Sequence, residues 1–167
     1  MTESGILMIA RLFRTTIGGA LASTGAALVL SRVRTGSYGP GVNCTAHWLY
    51  GNKAADVNKL DAAHSLTGIA TNTAAVLFWS WFYHKALGRQ PKMMRALIAT
   101  AALGPVSCLI DYKATPKRFT PGWELVFSRT DMAIIYLAMV LGMLSGTFQT
   151  SPSCEKSESS KTGRVVS

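Results

Sequence analysis

Apolar residues gather in four long runs, at residues 15–31, 66–83, 96–110 and 132–148, and none of them alternates polar with apolar at period two. Each run is near the roughly 17–25 residues that carry a helix through the hydrocarbon core of a bilayer. A membrane barrel would show short alternating strands instead. The pattern predicts an all-α membrane protein with four transmembrane helices within residues 1–150. A polar, serine-rich cytoplasmic tail follows over 151–167, too poor in apolar residues to fold.

The amphipathic stretch ILMIARLFR precedes the first run. Arg11 and Arg14 ahead of small apolar residues also suit a secretory signal. The run, however, continues to Leu30 and closes in SRVR without a small-residue cleavage pattern, so it is read as an uncleaved first helix.

Composition agrees with lipid surroundings. Only 15% of residues are charged and 49% are hydrophobic, against about 25% charged in soluble domains. The formal net charge of +9 raises the question of nucleic acid. A nucleic-acid binder presents its basic residues on a soluble face, whereas here they punctuate the apolar runs. The partners expected are the lipid bilayer, other membrane proteins or a second copy, and no nucleic acid.

Orientation follows from residues 84–95, which hold Lys85, Arg89, Lys92 and Arg95 and no acid. Short basic loops stay cytoplasmic. Both termini are then cytoplasmic too, in a multi-pass protein of the plasma or inner membrane. Nine of the 17 basic residues fall inside and five of the 8 acids (Asp56, Asp61, Asp111, Glu124, Asp131) outside, so the orientation rests mainly on this one loop. The WSWFY cluster beside it suits a headgroup-level aromatic belt.

The outer connections carry most of the remaining polarity. In NKAADVNKLDAAH, Ala54, Val57, Leu60 and Ala63 recur at helical spacing and predict a short amphipathic helix on the membrane surface. Residues 111–131 are broken by two prolines, and Pro121 suits the start of a helix entered from Thr120.

Small residues recur four apart as Gly18, Ala22 and Ala26 in the first helix and as Ala138, Gly142 and Gly146 in the fourth, where the last two form a GxxxG pair. Such stripes let helix backbones approach closely. They suit either a homo-oligomer face or packing within the chain, and the second is carried forward. Thr71, Asn72 and Thr73 predict an interhelical hydrogen bond, and Gly104–Pro105 a kink. Asp111, Arg129 and Asp131, with Glu124, predict interfacial ion pairs that lock the third and fourth helices together.

Cys44, His47, His64, Cys108 and Asp111 all fall on the outer side. Thiolate and imidazole suit zinc or copper, but C-x-x-H alone lacks a second ligand pair. A bis-histidine haem would need His47 with His64, or His84 from the opposite side. The three cysteines, Cys44, Cys108 and Cys154, are widely spaced, with no CxxC pair and no disulfide framework. No cofactor is therefore expected. Soluble-enzyme motifs such as G-x-S-x-G, the P-loop, H-E-x-x-H and G-x-G-x-x-G do not occur. The leading expectation is a non-enzymatic interaction or accessory subunit acting through helix packing and outer loops. The alternatives are a membrane redox or metal-handling protein using the outer Cys/His group, and a small oligomeric transporter.

Overall fold

The computed structural model describes residues 3–148 except Arg89, and among these the chain is helical without strands. The tail expected over 151–167 lies outside the described residues. In chain order the helices are α1 (Glu3–Thr35), α2 (Gly39–Asn43), α3 (His47–Tyr50), α4 (Ala62–Leu87), α5 (Met93–Leu109) and α6 (Arg129–Phe148).

Three segments, Gly5–Thr35, Met93–Ala114 and Arg129–Phe148, are long and apolar enough to cross a membrane. α4 matches them in length with 26 residues. Thr71, Asn72, Thr73 and Ser80, with its tryptophans and tyrosine, dilute its apolar character. Large apolar side chains such as Leu21, Val33, Leu66, Ile98, Leu109 and Leu137 point outward along the four long helices. Apolar surface on this scale suits lipid rather than water.

The four long helices run alternately up and down, as side-chain contacts across them show. Asn72 on α4 bonds Ser23 on α1, Tyr83 on α4 bonds Thr100 on α5, and Tyr136 on α6 bonds Asp111 just past α5. The short connection around Gly88 marks one end of the molecule, here the hairpin end. The connections over residues 36–61 and 115–128 mark the other, the loop end.

α1 and α6 make the tightest contact, and the small-residue stripes lie in it. A methyl group added at Gly18 would strike the carbonyl oxygen of Gly142, and one at Gly142 would strike the carbonyl of Gly18 and sit 2.7 Å from the Ala22 Cβ. Gly146 likewise abuts the backbone of Arg14 and Thr15. Lipid supplies no hydrophobic push between helices, so backbone proximity and the dispersion contact it allows must hold them. Ala26 packs partly buried against the core, and Ala138 is half-buried on α6.

Two local expectations are corrected. No amphipathic surface helix forms over NKAADVNKLDAAH: a 3-10 turn spans Asn52–Asp56 and Val57 is extended. The reason lies in Asn43, whose side-chain amide donates to the carbonyls of Val57 and Lys59 at 2.8 and 2.9 Å and so withdraws them from any helix. Pro121 does not open a helix either. It leads into Gly122 at φ +79° and a 3-10 turn at Trp123–Leu125, and α6 starts only at Arg129. α5 passes through Pro105 and ends in a π-helical turn, Ile110–Ala114.

Candidate functional site

The loop end is built around a segment that enters the helix bundle instead of lying on it. Every residue from 39 to 47 is buried. Val42 and Thr45 wedge between Thr24 and Ala27 on α1 and Gly68 and Asn72 on α4. Buried loop backbone must find hydrogen-bond partners within the protein, and polar side chains supply them. Asn43 accepts from the Ser65 hydroxyl at 2.7 Å while its amide donates to Val57 and Lys59. Ser31 accepts from the Gly41 N–H at 2.9 Å. Only a glycine fits at position 68, where an added methyl would strike the Val42 carbonyl. Gly122 closes the wedge from the other side against Cys44 and His47, at a positive φ that also favours glycine.

Below the wedge lies a cavity of about 70 Å³ bounded by α4, α6, the start of the π turn and residues 119–123. That volume holds a few water-sized groups. Trp79, Trp123 and Tyr136 form its walls, each at least 95% buried, with Trp123 edge-on to Tyr136 at 5.4 Å between ring centroids. Phe119, 64% exposed, stands at its mouth. Asp111 supplies the one carboxylate of the lining: its Oδ2 accepts from the Tyr136 hydroxyl at 2.6 Å, and the Trp79 side chain lies beside it. Asn72, Thr45 and Thr71 add neutral polar groups, and the Trp48 indole donates to Thr71 at 2.8 Å.

The ion pairs differ from those expected. Asp131 is held not by Arg129 but by Arg34, whose Nη2 lies 2.7 Å from Oδ1, and the Ser128 hydroxyl donates to Oδ2 at 2.8 Å. Arg129 is exposed at the first position of α6. The reason is topological: antiparallel α1 and α6 bring the end of one to the start of the other, so that Arg34 meets the buried Asp131. Among the described residues the ion pairs are Arg34–Asp131 and Asp61–His64, and Asp111 belongs to neither.

The Cys/His set is not gathered into one site. Among the described residues no three histidine, cysteine, aspartate or glutamate side chains come close enough to hold a metal ion. The His47 ring donates from Nε2 to the Thr120 carbonyl at 2.9 Å. His64 donates from Nδ1 to Asp61 at 2.9 Å and packs on Tyr50. Cys44 is fully buried with its thiol on the Gly41 carbonyl, and burial pushes that thiol well above its ordinary pKa. Cys108 sits half-buried near Asp111. His84 faces Thr15 at the hairpin end, 3.1 Å away, remote from both other histidines. His47 thus ties two loops together, His64 supports the start of α4, and His84 links α4 to α1.

Asn72 makes the interhelical bonds expected of it, donating to Ser23 and Thr24 at 2.9 and 3.0 Å. Four other residues were not singled out from the sequence: Arg34, Asn43, Trp123 and Tyr136. Tyr136 left a readable trace, a lone hydroxyl inside AIIYLAM that has to find a partner if the helix is buried. Compared with protein-family models, curated proteins and solved structures, the chain matches none.

Proposed function

We propose that this protein crosses the bilayer four times, with residues 84–95 and both termini cytoplasmic, and that it binds a small organic cation in the cavity at Asp111. One observation carries this. A carboxylate without an ion-pair partner among the described residues opens onto a chamber walled by two tryptophans and a tyrosine. Ionisable side chains at membrane depth are costly and tend to serve function. Aromatic walls attract cations through their negative faces, and a carboxylate adds full charge. The chamber is far smaller than the several hundred Å³ of clefts for drug-sized ligands, which points to an ion of simple alkylammonium size. The protein then acts by binding or carrying a solute, without bond chemistry of its own.

Titration of the detergent-purified full chain with methylammonium and tetramethylammonium, followed by calorimetry and by tryptophan fluorescence, tests this. Saturable binding that Asp111→Asn abolishes is the expected result. No saturable binding of either ion, or equal binding by Asp111→Asn or of uncharged tert-butanol, sinks it. The topology has its own test: cysteines placed at Asn52 and Lys85 should label from opposite sides of the membrane, Lys85 from the cytoplasm.

An accessory-subunit role is the second reading, favoured by the rim of the loop end. Leu49, Tyr50, Leu60 and Leu125 are exposed there around the rigid wedge. A photo-cross-linker at Leu49 should then give one defined adduct in native membranes; labelling of lipid alone would count against it.

A further inference from the structure

The α4–α5 face differs from the α1–α6 face in being unsealed. A groove of about 330 Å³ runs between the two helices, with Phe78, Phe82 and Ala86 on one wall and Ala99, Ala102 and Val106 on the other. Its lining is almost wholly apolar, and it shares only Trp79 with the cavity at Asp111. We infer that this groove holds one acyl chain of an anionic phospholipid whose headgroup rests on Lys85, Lys92 and Arg95.

Position and dimensions select this occupant. The groove opens towards the hairpin end, at Ala86, one residue before the end of α4, and at Ala99, six residues past the start of α5. From Ala99 to Ile110 it advances 11 residues along α5, or about 16 Å at 1.5 Å per residue. That is close to half of the roughly 30 Å hydrocarbon core, the depth of one leaflet. Small residues on α5 opposite phenyl rings on α4 leave a channel suited to a flexible chain.

Charge completes the match. Arg95 lies four residues before Ala99 and continues the α5 wall beyond the groove, and Lys92 is the cap residue that immediately precedes α5. Lys85 lies three residues past Phe82 at the edge of the α4 wall, over the Trp81 ring. An Nη nitrogen of Arg95 reaches to within 3.6 Å of where a Gly88 side chain would start, which brings it across to the end of α4. Residues 84–95 contain no acid to neutralise these cations. Basic residues at this level attract anionic headgroups, and the arginine fork suits a phosphate.

The test is native mass spectrometry of the full chain from mixed micelles containing phosphatidylglycerol and phosphatidylcholine in equal amounts. The wild type should retain one phosphatidylglycerol per chain in preference to phosphatidylcholine. Lys92→Gln and Arg95→Gln should each weaken that preference by about fivefold, the factor for one basic residue at an anionic surface. Ala102→Trp, which fills the groove, should abolish retention, while Ala101→Trp on the neighbouring exposed position should not. Retention of both lipids alike, or unchanged retention in Ala102→Trp, overturns the inference. So does a wild-type dimer that Ala102→Trp dissociates without change in bound lipid, because the groove would then belong to a second copy.

Discussion

Arg34 and Asp131 are 97 residues apart in sequence and share a bidentate ion pair, with the Arg34 Nε 3.2 and 3.1 Å from the two carboxylate oxygens and Nη2 2.7 Å from one of them. The pair is lopsided: the Arg34 side chain is 53% exposed and that of Asp131 2%. That asymmetry predicts unequal costs. Arg34→Met strands a buried carboxylate, which is more damaging than losing the attraction itself. Asp131→Asn keeps a polar group against Ser128 and leaves Arg34 to water. The melting temperature in detergent should fall more for Arg34→Met than for Asp131→Asn, and the double variant should recover part of the Arg34→Met loss. An equal fall for both single variants would mean the pair is not what holds the two helix ends.

The α1–α6 seam gives the sharpest steric prediction. At Gly142 even a methyl group has no room, whereas at Gly25 an added methyl meets nothing within 4 Å. Gly142→Ala should destabilise by about 1–3 kcal/mol, the usual range for overpacking, and Gly142→Leu by more. Gly25→Ala should be neutral or stabilising by roughly 0.5–1 kcal/mol, as expected for glycine in a helix interior. Thermal or denaturant unfolding in one detergent compares the three. Equal behaviour of Gly142→Ala and Gly25→Ala would place the stripe in lipid.

How much was legible follows from the range of each interaction. The small-residue stripes, the aromatic end of α4 and the amide at Asn72 are periodic or local signals, and each can be read from a few neighbouring residues. The burial of residues 39–47 left no such signal. GPGVNCTAH looks like turn and loop, and it is held by Ser31, Ser65, Gly68 and Gly122, which come from three other parts of the chain. The same holds for Asp111: its spacing suggested a rim ion pair with Arg129, but Tyr136 and Trp79 face it because α4, α5 and α6 converge there. Local spacing found the charged residues, and only the tertiary arrangement chose their partners.

Cys44 should behave as an inert thiol. It is fully buried, donates to the Gly41 carbonyl, and is held well above its ordinary pKa first by desolvation and then by the nearby Glu124 charge. In the folded protein at pH 8, maleimide should leave the Cys44 peptide unmodified over hours, as read by mass spectrometry. Unfolding in denaturant should expose it to rapid labelling. Prompt reaction in the folded state would mean that the wedge opens readily, contrary to its dense hydrogen bonding.

Asp61 provides a pH test of how α4 begins. It caps the helix, accepting from the His64 backbone N–H at 2.7 Å and from the His64 ring at 2.9 Å. The backbone bond is the larger cause, followed by the ring bond, of a carboxyl held below its ordinary value of 3.8. The sign follows from linkage. A folded-state pKa below the unfolded one gives stability that is fully present above the ordinary value and is lost as pH falls through the folded value. The melting temperature of the wild type should therefore hold steady from pH 7 to about 5 and then decline more steeply towards pH 3 than that of Asp61→Asn, which has no proton to gain. At neutral pH, Asp61→Asn should cost little, because asparagine is also a strong N-cap, whereas Asp61→Ala loses the cap itself and should melt lower at every pH. Parallel curves for the wild type and Asp61→Asn below pH 5 would show that the carboxylate form contributes nothing beyond the cap geometry.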